Sequence, residues 1–296
     1  MKTILLEKEV TRQQAKISEN ELDIVDFYNE ATEDYEFWSK DYNMHFGYLN
    51  GLKTNPLKRD TMLNEMNVQV LKRLGLTKKK GLLADLGCGM GGTMRYVLEK
   101  NPELLAIGVT LSKFQAIEGN RLLQHLKGTI LKENYNRTSL ASNSFDGALA
   151  IESFCHSGHN PKSFKEAYRI LKPAGKLVIA DAFLKKEPEE LCYGSALSYQ
   201  KLCNHWSLEK LGTIKTVIEQ LKEQGFSKVE IEDISFRVAP SVLHVPFAII
   251  GFTIRKLIEP GRLKRESLHN LKGSFYALLS GLHLKSFGYY LITATK

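Results

Sequence analysis

Residues 82–92, Leu-Leu-Ala-Asp-Leu-Gly-Cys-Gly-Met-Gly-Gly, join an apolar run to a glycine cluster. The cluster opens onto a helical pattern from Thr93 to Lys100. The run reads as a buried strand and the glycines as the turn at its carboxyl end. In an open α/β sheet that turn lies in the crevice where ligands bind. Gly87, Gly89 and Gly92 remove side chains so that the backbone can approach a ligand closely, and Cys88 and Gly91 belong to the same turn. Asp85 is the discriminating residue, because a charge inside an apolar strand is expensive to bury unless it is hydrogen-bonded. Its expected task is to fix the glycine loop through backbone amides or to reach a ligand amine.

Two cofactors suit such a loop. Gly87, Gly89 and Gly92 match the G-x-G-x-x-G dinucleotide pattern, a weak signal alone. That pattern needs an acidic residue about 20 residues on for the ribose. The next apolar run, 104–111, ends at Thr110 and Leu111 with no carboxylate. The segment resembles the first motif of the class I S-adenosylmethionine-dependent methyltransferases, and three further matches follow in order. Val109-Thr-Leu-Ser-Lys-Phe-Gln115 resembles the G-[LIV]-T-L-S-x-x-Q segment of the cyclopropane-fatty-acid-synthase, tocopherol and prenyl-diphosphate methyltransferases. There the resemblance implies that Thr110 and Gln115 stand around the cofactor ribose. Residues 145–152 resemble the family's fourth strand, whose end brings Ile151 to the cofactor, and residues 170–181 its fifth.

A chain of 296 residues with 43% hydrophobic and 25% charged residues has the balance of a globular protein able to bury a full core. Cys88, Cys155, Cys192 and Cys203 have neither metal-ligand nor disulfide spacing, so no metal is expected and a reducing, cytoplasmic setting is. The first ten residues are too short and too charged for a secretory signal, and no apolar run is read as approaching the ~20 residues of a membrane span. A net charge of +8 admits anionic partners, although a solvated basic surface gives the same number.

Strand-like runs fall near 82–87, 104–110, 128–132, 145–151 and 175–183, with helical patterns between most of them. This predicts a Rossmann-like α/β sheet covered on both faces. A helix over 208–224 ends at Gly225, and strands follow near 226–234 and 288–294. The resemblance implies seven strands, mostly parallel, with the last antiparallel. About 55 residues separate the last two strands, far more than the 2–6 of an ordinary connection. They carry helical patterns near 243–258 and 265–283. The organisation read from this is a helical cap at 1–75, a cofactor-binding core at 76–234, a helical lid at 235–286 and a final strand at 287–296.

The acceptor side is expected in the cap and lid. Residues 28–48 are dense in aromatics, and His45-Phe-Gly-Tyr48 resembles the family element that closes over the methionine end of the cofactor. A sulfonium cation favours aromatic faces, which nominates Tyr35 and Tyr48, with helical packing as the plain alternative. Glu152 and His156 follow the fourth strand at a spacing that puts both on one side of a helical turn. The E-x-x-x-H pattern resembles sterol and tocopherol methyltransferases, which nominates the pair as catalytic. Asn134 and Tyr135 stand where relatives place an adenine-contacting Asp. Trp38, His45, His244 and Phe247 are the candidate acceptor-lining residues. Apolar residues 245–254, followed by Arg255, Lys256, Arg262, Lys264 and Arg265, suit a lipophilic pocket wall or a peripheral membrane contact.

The expectation is methyl transfer from S-adenosylmethionine to a small lipophilic acceptor, isoprenoid, sterol-like or quinone-like, at carbon or oxygen. Alternatives are a polar small molecule methylated at nitrogen or oxygen, a macromolecule, an inert cofactor binder and, from another class, an NAD(P)-dependent oxidoreductase. No D/N-P-P-Y motif follows the fourth strand and no aromatic–basic platform is evident, so nucleic acid is not an expected partner.

Overall fold

Seven strands make one sheet in the order β3-β2-β1-β4-β5-β7-β6. The structure, a computed structural model, describes residues 38–51, 53–77, 79–258 and 265–296. The strands are β1 (Gly81–Leu86), β2 (Leu104–Thr110), β3 (Gly128–Lys132), β4 (Phe145–Ile151), β5 (Leu171–Leu184), β6 (Lys228–Asp233) and β7 (Phe287–Thr295). All neighbours pair parallel except β7, which runs antiparallel to both β5 and β6. Strand order reverses between β1 and β4, and the crevice beyond their carboxyl ends is the ligand position of such sheets.

Period-2 alternation makes both faces apolar, as a doubly covered sheet requires. Leu149, Ile151, Val178 and Ala180 pack with Met66 and Val70 of α1 (Arg59–Leu74), and with α2 (Gly92–Lys100) and α3 (Lys113–Leu123). Their neighbours Ala148, Ala150, Leu177 and Ile179 pack with Phe164 and Ile170 of α4 (Pro161–Ile170) and Leu221 of α6 (Ile214–Glu223). Seven strands and an antiparallel final strand were expected and are present.

The helical layer beyond the strand ends differs from expectation. A helix at Tyr193–His205 (α5) has no counterpart in the sequence reading, and the predicted helix over 208–224 shortens to α6, where Thr213 caps the first turn through Thr216 N–H. The insertion before β7 holds three helices: α7 (Ser235–Val242), α8 (Val245–Ile258) and α9 (Arg265–Leu282). Ser235–Ile254 does reach 20 residues at a mean hydropathy of 1.5, contrary to the sequence reading. The stretch breaks at the turn Leu243–His244, with Pro240 inside α7, so it forms two shorter helices.

The β1–α2 turn is pinned to the sheet by the amides of Gly87 and Cys88, both donating to Val109 O at 3.0 Å. Gly87 has φ +96°, and a Cβ there would lie 2.4 Å from Cβ of Ser153, whose hydroxyl donates to Leu86 O at 2.6 Å. Gly87→Ala therefore combines a left-handed backbone with a clash against a fixed side chain. It is expected to cost ~2–3 kcal/mol, read as a melting temperature several degrees lower by calorimetry.

Candidate active site

Asp85, next to last in β1, is buried, and its Oδ2 has no hydrogen-bond partner. Burial pushes its carboxyl up to about 8. The residue lines the smaller of two adjoining cavities, together with Gly87, Cys88, Gly89, Thr110, Leu111, Gln115, Tyr135 and Ile151. Thr110 Oγ1 donates to Gln115 Oε1 at 2.7 Å, and Ser112 caps α3 by accepting from Gln115 N–H at 3.2 Å. These are neutral polar groups where a dinucleotide site would hold a carboxylate. The Cys88 thiol is pushed up by burial and by Asp85, so it stays protonated.

Three of the cofactor-side nominations fall elsewhere. Gly91 is the left-handed N-cap of α2 (φ +73°) and sits against Ile130; Gly92 takes its place on the cavity wall. The Asn134 side chain accepts from Asn136 N–H at 2.8 Å in a local turn and does not reach the cavity. Tyr48 packs on the core under Arg237, whose guanidinium lies 6.0 Å from the ring, because the close contact of Gly47 with Met62 turns the chain onto α1. It is therefore no part of a sulfonium cage. Tyr35 lies outside the described residues.

A strap formed by residues 41–46 closes the smaller cavity. Tyr42, Asn43, Met44 and His45 all line it, and Gly92 is glycine because a Cβ there would meet Asp41 O at 2.7 Å. Arg95 donates to Asp41 O, and Asn67 Nδ2 donates to Asn43 Oδ1 at 3.2 Å. Burial lowers the pKa of His45, whose Nδ1 contacts Phe46 O at 2.9 Å.

Glu152 and His156 line both cavities and so stand at their junction. They do not share a helical turn as the spacing suggested. Glu152 lies beyond β4 with φ +47°, an uncommon conformation for a residue with a side chain, while His156 sits on a short 3₁₀ turn, Phe154–Ser157. The Glu152 amide extends the sheet by donating to Ala180 O at 2.8 Å. Its Oε1 then accepts from Phe46 N–H at 2.6 Å and from the Tyr289 hydroxyl at 2.8 Å. Burial outweighs both bonds and pushes the Glu152 carboxyl up to about 8. The same burial depresses His156 to about 4, so its imidazole is neutral at ordinary pH.

The larger cavity, about 450 Å³, lies between the carboxyl ends of β4 and β5, the start of β7, and helices α5, α7, α8 and α9. Trp38 and His45 line it, as nominated, and Trp38 Nε1 donates to His45 O at 3.2 Å. His244 and Phe247 do not. His244 Nε2 lies 2.7 Å from Pro56 O, which ties the α7–α8 corner to a loop, and Phe247 points outward at 72% exposure. Among the described lining residues, ionisable side chains come from Glu152, Cys155, Asp181, His45, His156 and Tyr289, with no lysine or arginine.

Sequence reasoning missed Asp181 and Tyr289. Asp181 accepts from Cys155 N–H at 3.0 Å, and His159, held by Gly212 N–H on Nδ1, points Nε2 at its Oδ2 from 3.4 Å. A carboxylate inside an apolar strand was the signal that singled out Asp85 and applied equally to Asp181. Tyr289 carries no such signal: its partner is 137 residues away.

Comparison with known proteins agrees with this geometry. Residues 84–179 match the methyltransferase domain family. The chain is 28% identical over 225 residues to the Arabidopsis thaliana 24-methylenesterol C-methyltransferase 2, covering 72% of this chain and 58% of that protein. It is 27% identical over 262 residues to a Pyrenophora dematioidea O-methyltransferase, covering 86% and 88% of the two chains. The fold is shared with the cyclopropane synthase MmaA2 of Mycobacterium tuberculosis at a TM-score of 0.77 and 17% identity, over 96% of this chain and 100% of that one. The nicotinamide alternative is thereby set aside. With the glycine turn, the buried Asp85 and the Thr110–Gln115 pair all inside the matched segment, residues 84–179 form a methyltransferase domain of the S-adenosylmethionine-dependent kind.

Proposed function

We propose that the chain methylates a carbon atom of a small lipophilic acceptor bearing a carbon–carbon double bond. The observation that carries this reading is the place of Glu152, a buried carboxyl at the junction of the cofactor cavity and an apolar cavity of about 450 Å³. That volume lies within the range of small-molecule sites. A diphosphate acceptor would lack a counter-charge, since no lysine or arginine lines the described wall.

The residues of the smaller cavity suit the methyl donor. Asp85 Oδ2 is an unpartnered acceptor for the donor's ammonium, the glycines leave room for close backbone approach, and the Thr110–Gln115 pair faces the ribose. When bound, S-adenosylmethionine supplies an electrophilic methyl group on a positively charged sulfur. The strap excludes water from the junction, which strengthens every charge interaction there. Attack of the acceptor's double bond on that methyl group would form the new carbon–carbon bond at the expense of the sulfur–carbon bond and would leave positive charge on the acceptor. Glu152 faces that charge. Phe46 N–H and Tyr289 O–H hold Oε1, so Oε2 is the oxygen left to take the proton the acceptor then loses. His156, neutral and depressed to about 4, is a weak base, which disfavours the phenol or amine deprotonation that oxygen or nitrogen transfer would ask of it. Similarity to an O-methyltransferase supports oxygen transfer as the second reading.

Incubation with labelled S-adenosylmethionine and a lipid extract should place the label in an apolar small molecule. Label confined to protein or RNA would refute the small-molecule reading. Glu152→Gln should lower kcat on that product by ~10²–10⁴-fold with little change in the apparent affinity for the donor. At saturating donor, the wild-type kcat/KM for the acceptor should rise with pH to a plateau with an apparent pKa between about 5 and about 8, because a cation seated beside Glu152 favours its ionised form and burial opposes it. A profile flat between about pH 5 and pH 8 would remove Glu152 from the base role.

Folding stability supplies an independent check on the buried carboxyls. Asp85 and Glu152, both near 8 when folded, hold protons that the unfolded chain has already lost. Their contribution therefore falls as pH rises from the unfolded carboxyl values to about 8. His45 and His156, both depressed, act in the opposite sense, but only below their unfolded value of 6.5. Between pH 6.5 and 8 the cofactor-free protein should thus lose thermal stability as pH rises, and Asp85→Asn should flatten the slope. A melting temperature that climbs across that window would show that these carboxyls are not held protonated.

A further inference from the structure

The outer surface of the α7–α8 corner is as apolar as its inner one. Val245, Ala248, Ile249 and Phe252 of α8 turn toward the larger cavity, while Phe247, Ile250 and Ile254 recur at three and four residues along the opposite side and are exposed. Phe236 of α7 and Leu282 at the end of α9 are 78% and 68% exposed and at the same time line the cavity, as do Leu243 and Leu284. The exposed apolar surface is therefore continuous with the cavity mouth. A helix apolar on every side is normally buried, yet only 22% of the most apolar window of Ser235–Ile254 is buried.

Formal charge along residues 49–58 and 235–258 has one sign, and the neighbouring Asp233 is paired with Lys185 at 2.8 Å. Arg237 lies beside Phe236 and Lys285 beside Leu284, and both are exposed. The neighbouring loop, joined by Leu49 N–H to Arg237 O at 2.7 Å and by His244 to Pro56 O, adds exposed Lys53 and Lys58 around Leu57, itself 84% exposed. None of these four cations makes an ion pair with a carboxylate among the described residues. Neither residues 49–58 nor 235–258 contain an aspartate or glutamate. An apolar centre with a cationic rim complements an anionic lipid surface. The 14 residues of α8 reach about 21 Å, short of the ~30 Å of a hydrocarbon core, and the break at Leu243–His244 separates α7 from it. On a membrane, the segment would therefore lie along the surface and not span it.

We propose that the α7–α8 face seats the chain on an anionic phospholipid bilayer with the mouth of the larger cavity turned toward the acyl chains. A lipophilic acceptor would then enter without crossing water; that purpose rests on the function proposed above, whereas the binding itself does not. Co-sedimentation of the full chain with phosphatidylcholine vesicles containing roughly a third phosphatidylglycerol should carry the protein down, and pure phosphatidylcholine should carry down much less. Phe247→Glu with Ile250→Glu should weaken partitioning by at least about tenfold. Both positions are exposed, so the thermal shift with S-adenosylhomocysteine should be unchanged, which shows the variant folded. Absence from both pellets, or equal binding to neutral and anionic vesicles, would overturn the proposal. So would a dimer in sedimentation equilibrium that the double variant abolishes, since the face would then belong to a second copy of the chain. Failure of vesicle binding would leave methyl transfer to a detergent-dispersed acceptor intact, so the two proposals stand or fall separately.

Discussion

One carboxylate oxygen joins three segments that are far apart in the chain. Glu152 Oε1 accepts from the Phe46 amide, 106 residues away, and from the Tyr289 hydroxyl, 137 residues away. The first bond holds the strap that closes the smaller cavity, and the second fixes the start of β7 at the rim of the larger one. Both depend on the left-handed turn at Glu152, which swings the side chain out of the line of β4. A residue held in that conformation costs about 1–3 kcal/mol, and it persists where the surroundings over-determine it. Here the ladder bond to Ala180 behind it and the two donors in front leave the chain no easier course.

The division between what the sequence discloses and what it conceals follows from contact range. The strand–turn–helix of residues 81–100 is local, so an apolar run, a buried acid and glycines suffice to read it. The Thr110–Gln115 pair is local too, five residues apart across the cap of α3. The alternation that faces β4 and β5 to two cores likewise lies within each strand. These made the fold and the donor cavity legible before any coordinates.

The acceptor cavity was not legible because no short stretch builds it. His244 and Phe247 were nominated from an apolar segment, yet α8 is apolar all round, and periodicity alone cannot say which side faces in. Tyr48 was nominated beside His45, but the contact of Gly47 with Met62 turns the chain so that only His45 faces the site. Asn134 satisfies its own turn. The α5 helix went unseen because its pattern is weakly amphipathic, with Ser195, Ser198 and Leu202 as its buried residues. Spacing brought Glu152 and His156 to notice for a helical reason that does not hold. They meet because β4 ends at the junction of two cavities.

Electrostatics gives those cavities their shared logic. Asp85 and Glu152 are both buried, both pushed up to about 8, and neither meets a lysine or arginine among the described residues. A buried carboxyl without a counter-ion is destabilising to a folded chain, and evolution usually neutralises it with a partner or an apolar replacement. Retaining two of them in adjoining cavities fits a site whose positive charge arrives with its ligands. An ammonium would settle Asp85, and a sulfonium would settle Glu152. Desolvation here is the reserve from which selectivity is drawn, because a neutral ligand of the same shape would leave both carboxyls unrelieved. The absence of lysine and arginine from the described wall of the larger cavity has the same consequence, since a lysine there would quench Glu152 before a ligand reached it.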